Sequence, residues 1–203
     1  MRIAIMGAGT VGSSLGRALV RAGHEVMFSS RQPDSDKMRA LLAEMGDGAQ
    51  AGSVEVTLNF SEVVALAMPW DTIKAVVQVG DWSSKIVIDM SNRFGPPPAD
   101  STGTVAGDIA RMTGARVVKA FNSIGANRYE QPQINGQAAS MLVAGDAADA
   151  KAVVMGLAED IGFEPVDAGD LSAARHVENL AALWVHLARS GYGRDIGFKL
   201  LRE

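Results

Sequence analysis

The 203-residue sequence predicts an α/β fold in which helices wind about both faces of a mostly parallel sheet. Three observations predict it. Short β-rich runs alternate with helix-length segments from the first residues onward, and a glycine-rich stretch, GAGTVG, follows the first run directly. Beyond Asp167 the alternation gives way to one long apolar stripe. Together they describe a doubly wound sheet of the Rossmann type with a small C-terminal extension.

The first strand is placed at Arg2 to Met6 and the helix after it at Thr10 to Ala22, where Val11, Leu15, Leu19 and Val20 recur at helical spacing. Further strands are expected at Glu25 to Ser29, Val54 to Thr57, Val64 to Met68, Lys85 to Asp89, Arg116 to Ala120, Ser140 to Ala144 and Phe163 to Asp167. Helices are expected at Ser35 to Met45, Trp70 to Val79, Gly103 to Met112 and Ala147 to Ile161, the last with Asp146 as its N-cap. A proline-stiffened loop, Arg93 to Gly103, follows the fifth strand. From Leu171 onward, Val177, Leu180, Leu183, Trp184 and Leu187 share a helical face, until SGYG breaks the helix before a short final one. That stripe cannot be buried within its own helix. Residues 140–203 are therefore expected to pack on a nucleotide-binding domain of residues 1–139, and on a second subunit in a homodimer.

Composition narrows the partners. A net charge of -4 with scattered basic residues offers no footprint for nucleic acid. The absence of cysteine removes disulfides, thiolate metal sites and a cysteine nucleophile, and fits a reducing cytoplasm. The apolar run near the N-terminus is too short for a signal-peptide core or a membrane span, so a soluble cytoplasmic protein is expected. No metal-ligand spacing such as H-E-x-x-H is present.

Gly7, Gly9 and Gly12 form G-x-G-x-x-G between a β-run and a helix, the setting a dinucleotide fingerprint requires. Gly7 makes the tight turn, Gly9 lets backbone amides approach a pyrophosphate, and Gly12 lets helix and strand pack closely. An NAD site would carry an acid at the end of the second strand to bind the ribose hydroxyls. Here Ser29, Ser30 and Arg31 stand there instead. A guanidinium can grip a 2′-phosphate bidentately and a hydroxyl can donate to it, so the cofactor is expected to be NADP(H). Arg31 is the principal contact, Ser30 lies beside it and Lys37 is an outer cation.

Groups for proton transfer are sparse. His24 lies in the turn before the second strand, and His176 and His186 sit on the C-terminal helix, where partly buried structural roles are expected. No Y-x-x-x-K pair occurs. Lys119 ends the sixth strand in the crevice where open α/β sheets bind ligands, and is either an acid or base, a phosphate-facing cation or a structural one. Hydride transfer between two held cofactors would need no such group, because geometry supplies most of the acceleration.

IMGAGTVGSSLGRALVRAGHEVMFSSR, AMPW, RVVKAFNSIGANRY, VAGDAADAKAVVMGLAEDIGFEPVDAGDLSAARHVENLAALWVHLA and GRDIGFKLL, in that order, resemble the NADP-dependent coenzyme F420 reductases. VVKAFN is also similar to the oxidoreductase domain of the STEAP metalloreductases. The resemblance implies that Gly7, Ala8, Gly9, Thr10, Val11 and Gly12 hold the pyrophosphate and that Ser30 and Arg31 hold the 2′-phosphate. A member of that family carries a further lysine four residues after the arginine. Ser35 stands there in this chain, leaving Lys37 to replace it. Met68, Pro69 and Trp70 would lie along the cofactor, Ala120 would meet the carboxamide by its backbone, and Lys119, Phe121 and Asn122 are acceptor-pocket candidates. Arg93 to Gly103 departs from the family in sequence.

The resemblance thus implies hydride transfer between NADP(H) and a deazaflavin, coenzyme F420, or a flavin. A STEAP-like flavin or ferric reductase and a non-catalytic NADP(H) sensor are the alternatives. A relation to pyrroline-5-carboxylate reductase extends to the fold and the Ser-Arg type of NADP site, but residues 140–203 are too few for that family's helical dimerisation domain.

Overall fold

The computed structural model describes residues 1–203. Strands β1 (Arg2–Met6), β2 (Glu25–Ser29) and β3 (Ala49–Gly52) form one half of a sheet. The other half contains β4 (Val63–Leu66), β5 (Ile86–Asp89) and β6 (Arg116–Lys119). Residues 133–138 make a separate two-stranded hairpin, β7 (Gln133–Ile134) and β8 (Gln137–Ala138). Its turn is Asn135-Gly136, both at positive φ, the conformation a two-residue hairpin loop requires. Strands β9 (Ser140–Gly145) and β10 (Glu164–Gly169) rejoin the main sheet, whose order is β10-β9-β6-β5-β4-β1-β2-β3. Every neighbouring pair is parallel except β6 with β9.

The central strands read as unbroken apolar runs because helices cover both faces. Ile3, Ala4, Ile5 and Met6 are all fully buried. On one face Ile3, Ile5, Leu15, Leu19, Phe28 and Val154 share a core with helices α1 (Thr10–Arg21) and α6 (Ala148–Asp160). On the other, Ala4, Met6, Leu58, Ile73, Trp82 and Ile109 pack with α3 (Val54–Phe60), α4 (Trp70–Val76) and α5 (Val105–Thr113). Helix α2 (Asp36–Ala43) flanks β3 and buries Met38, while α7 (Ala174–Leu187) crosses the carboxyl ends of the strands. The strand order reverses between β1 and β4, which opens a crevice at their carboxyl ends, where such sheets bind ligands.

Three elements differ from the sequence expectation. Val54 to Thr57 is the start of α3, and the third strand is Ala49–Gly52. The alternation Val54-Glu55-Val56 mimics a strand, but Ser53 accepts a hydrogen bond from the Val56 amide and starts a helix instead. Asp146 does not cap α6. Its carboxylate accepts from the Leu171 amide at 2.8 Å, and Ala147 holds the N-cap position. No final helix follows Ser190 to Gly193. Residues 194–200 run instead as an irregular strap, with the Ser140 amide donating to Phe198 O and the Leu200 amide to Ser140 Oγ.

Candidate functional site

The glycine loop stands between β1 and α1, and each glycine meets a different constraint. Gly7 has φ +107°, and a Cβ there would lie 2.9 Å from Ala67 O. Its amide donates to Ser29 Oγ at 3.1 Å, tying the loop to the end of β2. At Gly12 a Cβ would fall 2.0 Å from Gly7 O, so only glycine lets the helix approach its own loop. A Cβ on Gly9 would meet nothing within 4 Å. Gly9 is also the N-cap of α1, with no side chain capping the first turn and no acid in it. Free amides and the positive end of the helix dipole therefore face open space, which fits a pyrophosphate.

Beside this loop lies a cavity of about 560 Å³ lined by Ala8, Gly9, Thr10, Ser30, Ser35 and Lys37 among others. The Ser30 amide donates to Gly52 O and Ser30 Oγ accepts from the Gln32 amide, which fixes the turn after β2. Ser35 caps α2 by accepting from the Met38 amide. Lys37, one residue into the helix, lies on the cavity wall. Arg31 is exposed, outside the cavity-lining set, and makes no ion pair. Arg17, paired with Glu44 at 2.7 Å, closes the far wall; nothing in the fingerprint pattern signals it.

A second cavity, of about 270 Å³, adjoins the first at Thr10, which lines both. Thr10 and Val11 from α1, Met90 and Asn92 after β5, Phe121 and Asn122 after β6, and Ala181, Trp184 and Val185 on α7 contribute to it. Phe121 is held at φ +58°, a left-handed conformation unusual for a bulky residue and found where surrounding structure enforces it. Here the Phe121 amide donates to Met141 Sδ and the Tyr129 hydroxyl donates to the Phe121 carbonyl. Phe121, Tyr129 and Phe163 pack edge to face, with ring centroids 6.0 to 6.4 Å apart. Asn122 donates to Asn92 Oδ1 at 2.8 Å, which leaves its own Oδ1 buried without a partner.

Other sequence candidates lie elsewhere. Lys119 is wholly buried, paired with Asp89 at 2.8 Å and Glu178 at 3.1 Å, and lines neither cavity. The Ala120 amide donates to Asp89 O, so only its carbonyl is free to meet a carboxamide. Pro69 is the N-cap of α4, and Met68 and Trp70 are half-buried outside both cavities. Trp70 lies under the Arg93 guanidinium, 5.2 Å from its ring centroid. His24 bonds the N-terminal ammonium and Asp160; burial, then the ammonium, lowers its pKa. His176 and His186 are exposed on α7, not partly buried: their positions fall on its solvent side.

Tyr129 and Arg194 are the only ionisable residues in the second cavity. Burial raises the Tyr129 phenol, and its proton is already committed to Phe121 O. A glycine loop opening a helix, at the crevice where the strand order reverses, defines a Rossmann-type dinucleotide-binding protein.

Comparison with known proteins points the same way. The model of the NADP oxidoreductase coenzyme F420-dependent family matches residues 2–93. A candidate F420-dependent NADP reductase from Arthrobacter sp. FB24 superposes with TM-score 0.86 at 28% identity, covering 100% of each chain. A hypothetical protein from Sinorhizobium meliloti gives TM-score 0.78 at 30% identity, covering 100% of this chain and 96% of its own. The metalloreductase STEAP3 of Rattus norvegicus is 30% identical over 179 residues, 87% of this chain and 36% of the relative. The chain thus spans about a third of the length of the curated relatives it matches. The family model thus covers the glycine loop and the strands through β5, and the likenesses together mark the chain as an NADP-dependent oxidoreductase. No helix of the structure is long and apolar enough to cross a membrane.

Proposed function

We propose that the protein transfers hydride between NADP(H) and a flat deazaflavin or flavin-type ring, with coenzyme F420 the first candidate. The observation that carries this reading is the second cavity: it touches the dinucleotide cavity at Thr10 and holds no side chain able to donate a proton at neutral pH. Reduction of a carbonyl calls for a positioned acid, whereas a ring acceptor that receives hydride can take its proton from water. When bound, the dihydronicotinamide supplies two electrons and one hydrogen from C4 as hydride.

The residues orient and exclude water. Gly9 and Thr10 present amides to the pyrophosphate, and Ser30, Lys37 and the exposed Arg31 offer donors to the 2′-phosphate. Phe121 and Trp184 give apolar surface to a stacked ring, and the partnerless Asn122 Oδ1 offers an acceptor to a ring or carboxamide N–H. The absence of cysteine suits the reducing cytoplasm in which such a reaction would run.

The likeness to metalloreductase STEAP3 supports a second reading, with a flavin or ferric chelate as acceptor. Stopped-flow absorbance separates the two, with NADPH and purified protein mixed in parallel with coenzyme F420, FMN, FAD and a ferric chelate. Fast NADPH oxidation with the deazaflavin alone is the expected result. Oxidation by flavin or iron selects the second reading, and tight NADPH binding without oxidation by any acceptor overturns both in favour of a sensor.

A further inference from the structure

A charge cluster that neither cavity exposes lies at the carboxyl end of the sheet. Lys119 Nζ is 2.8 Å from Asp89 Oδ2 and 3.1 Å from Glu178 Oε1, and it also donates to the Ser91 carbonyl. The Lys119 and Asp89 side chains are fully buried and that of Glu178 is 9% exposed. Asp89 Oδ1 accepts from the amide and hydroxyl of Ser91, and Glu178 Oε1 from the Val105 amide at the start of α5. Two carboxylates therefore share one ammonium. No second cation comes within ion-pair distance of Glu178: Arg93 and Arg111 pair with Asp108, and Arg175, one turn earlier on α7, is exposed and makes no ion pair. Burial, reinforced by Asp89 and only partly offset by Lys119, holds the Glu178 carboxyl above the usual carboxylate range.

With both acids ionised, the cluster lacks one positive charge, and uncompensated charge in a dry interior is costly. Each member lies close in the chain to a residue of the second cavity or to one that such a residue bonds. Asp89 precedes Met90, Lys119 stands two residues before Phe121, and Glu178 follows Val177, whose carbonyl accepts from Asn122. Met90 and Ala120 pack in the α1 core, whereas Asp89 and Lys119 turn to the opposite side of their strands, as does Val117. The strands themselves therefore lie between the cluster and the core that Met90 and Ala120 join. Unit charges about 10 Å apart in a protein interior change a binding constant by roughly tenfold.

A nicotinamide ring is neutral when reduced and carries one positive charge when oxidised. We propose that Asp89, Lys119 and Glu178 form a charge-balancing site for the oxidised nicotinamide, with Glu178 setting the affinity for NADP⁺ relative to NADPH. Glu178 lines neither cavity and would act through space. The inference rests on NADP(H) binding in the proposed reading and not on which acceptor takes the hydride.

Titration calorimetry of the full chain with NADP⁺ and with NADPH tests it. In Glu178→Gln, which keeps an oxygen for Lys119 and the Val105 amide, the ratio Kd(NADP⁺)/Kd(NADPH) should rise about tenfold while Kd for NADPH stays within about twofold. In the unaltered protein the same ratio should fall as rising pH ionises Glu178, and in the variant it should be flat. Titration of the 2′-phosphate affects both ligands and cancels in the ratio. An unchanged ratio, or equal weakening of both ligands as a merely structural role would cause, overturns the proposal. Should the variant fail to fold, a flat ratio across pH in the unaltered protein overturns it equally. Binding of both nucleotides without turnover of any acceptor would sink the acceptor reading alone, and no binding of NADPH would sink both.

Discussion

The two cavities meet at one threonine and are built on opposite plans. The dinucleotide side comes from two short stretches, residues 7–17 and 30–44, and relies on backbone: a glycine turn, a helix N-terminus and a capped turn after β2. The second cavity draws on α1, the loops after β5 and β6, α7 and the strap at Arg194, and relies on side-chain surface. Backbone cradles tolerate little change, because a single added carbon strikes a carbonyl. Side-chain walls can be altered one residue at a time. The difference teaches that the loop is held to one backbone shape while the second cavity can be reshaped side chain by side chain.

Gly12→Ala should break the comparison most severely. Its Cβ would sit 2.0 Å from Gly7 O, so the loop must shift and the amides lose their aim. NADPH affinity is expected to fall about 100-fold by fluorescence titration, while circular dichroism stays close to that of the unaltered protein. Retained affinity would show that the loop is not the pyrophosphate cradle. Arg31→Asp should come next, replacing a cation by a group that repels the 2′-phosphate. The preference for NADPH over NADH should drop by about tenfold or more, with NADH binding spared or improved. An unchanged preference would assign the phosphate to Lys37 and the helix start at Ser35. Trp184→Phe should have the smallest effect, losing the bond from Nε1 to Ile196 O and part of one wall. Acceptor KM should rise about threefold with NADPH affinity unaltered, in keeping with the loss of about 1 kcal/mol from one hydrogen bond. A matching loss of NADPH affinity would show that the two cavities are energetically one.

The same contrast explains what was legible. β1 and β2 announced themselves because each apolar run opens on a charged residue and is followed at once by loop chemistry. The glycine fingerprint and the missing acid are local patterns, and local patterns survive in one dimension. Val54 to Thr57 misled because a two-residue alternation spans less than one helical turn, too little to distinguish the periods. Lys119 drew attention as a cation in a crevice; only the three-dimensional pairing with Asp89 and Glu178 shows that it faces inward. Asn92, Trp184 and Arg194 stand far apart in the chain and have no shared spacing, so their convergence belongs to the fold.

The strap that replaces the expected final helix bears on how such a protein can diversify. Lys199 reaches the Ala138 carbonyl and Glu164, Asn127 holds Asp195, and Arg194 enters the wall of the second cavity. Because these ties are made by side chains and single amides rather than by a ladder, a lineage could rewrite the strap residue by residue. Each rewriting would remodel the entrance for a new electron acceptor and leave the purchase on the nucleotide inherited intact.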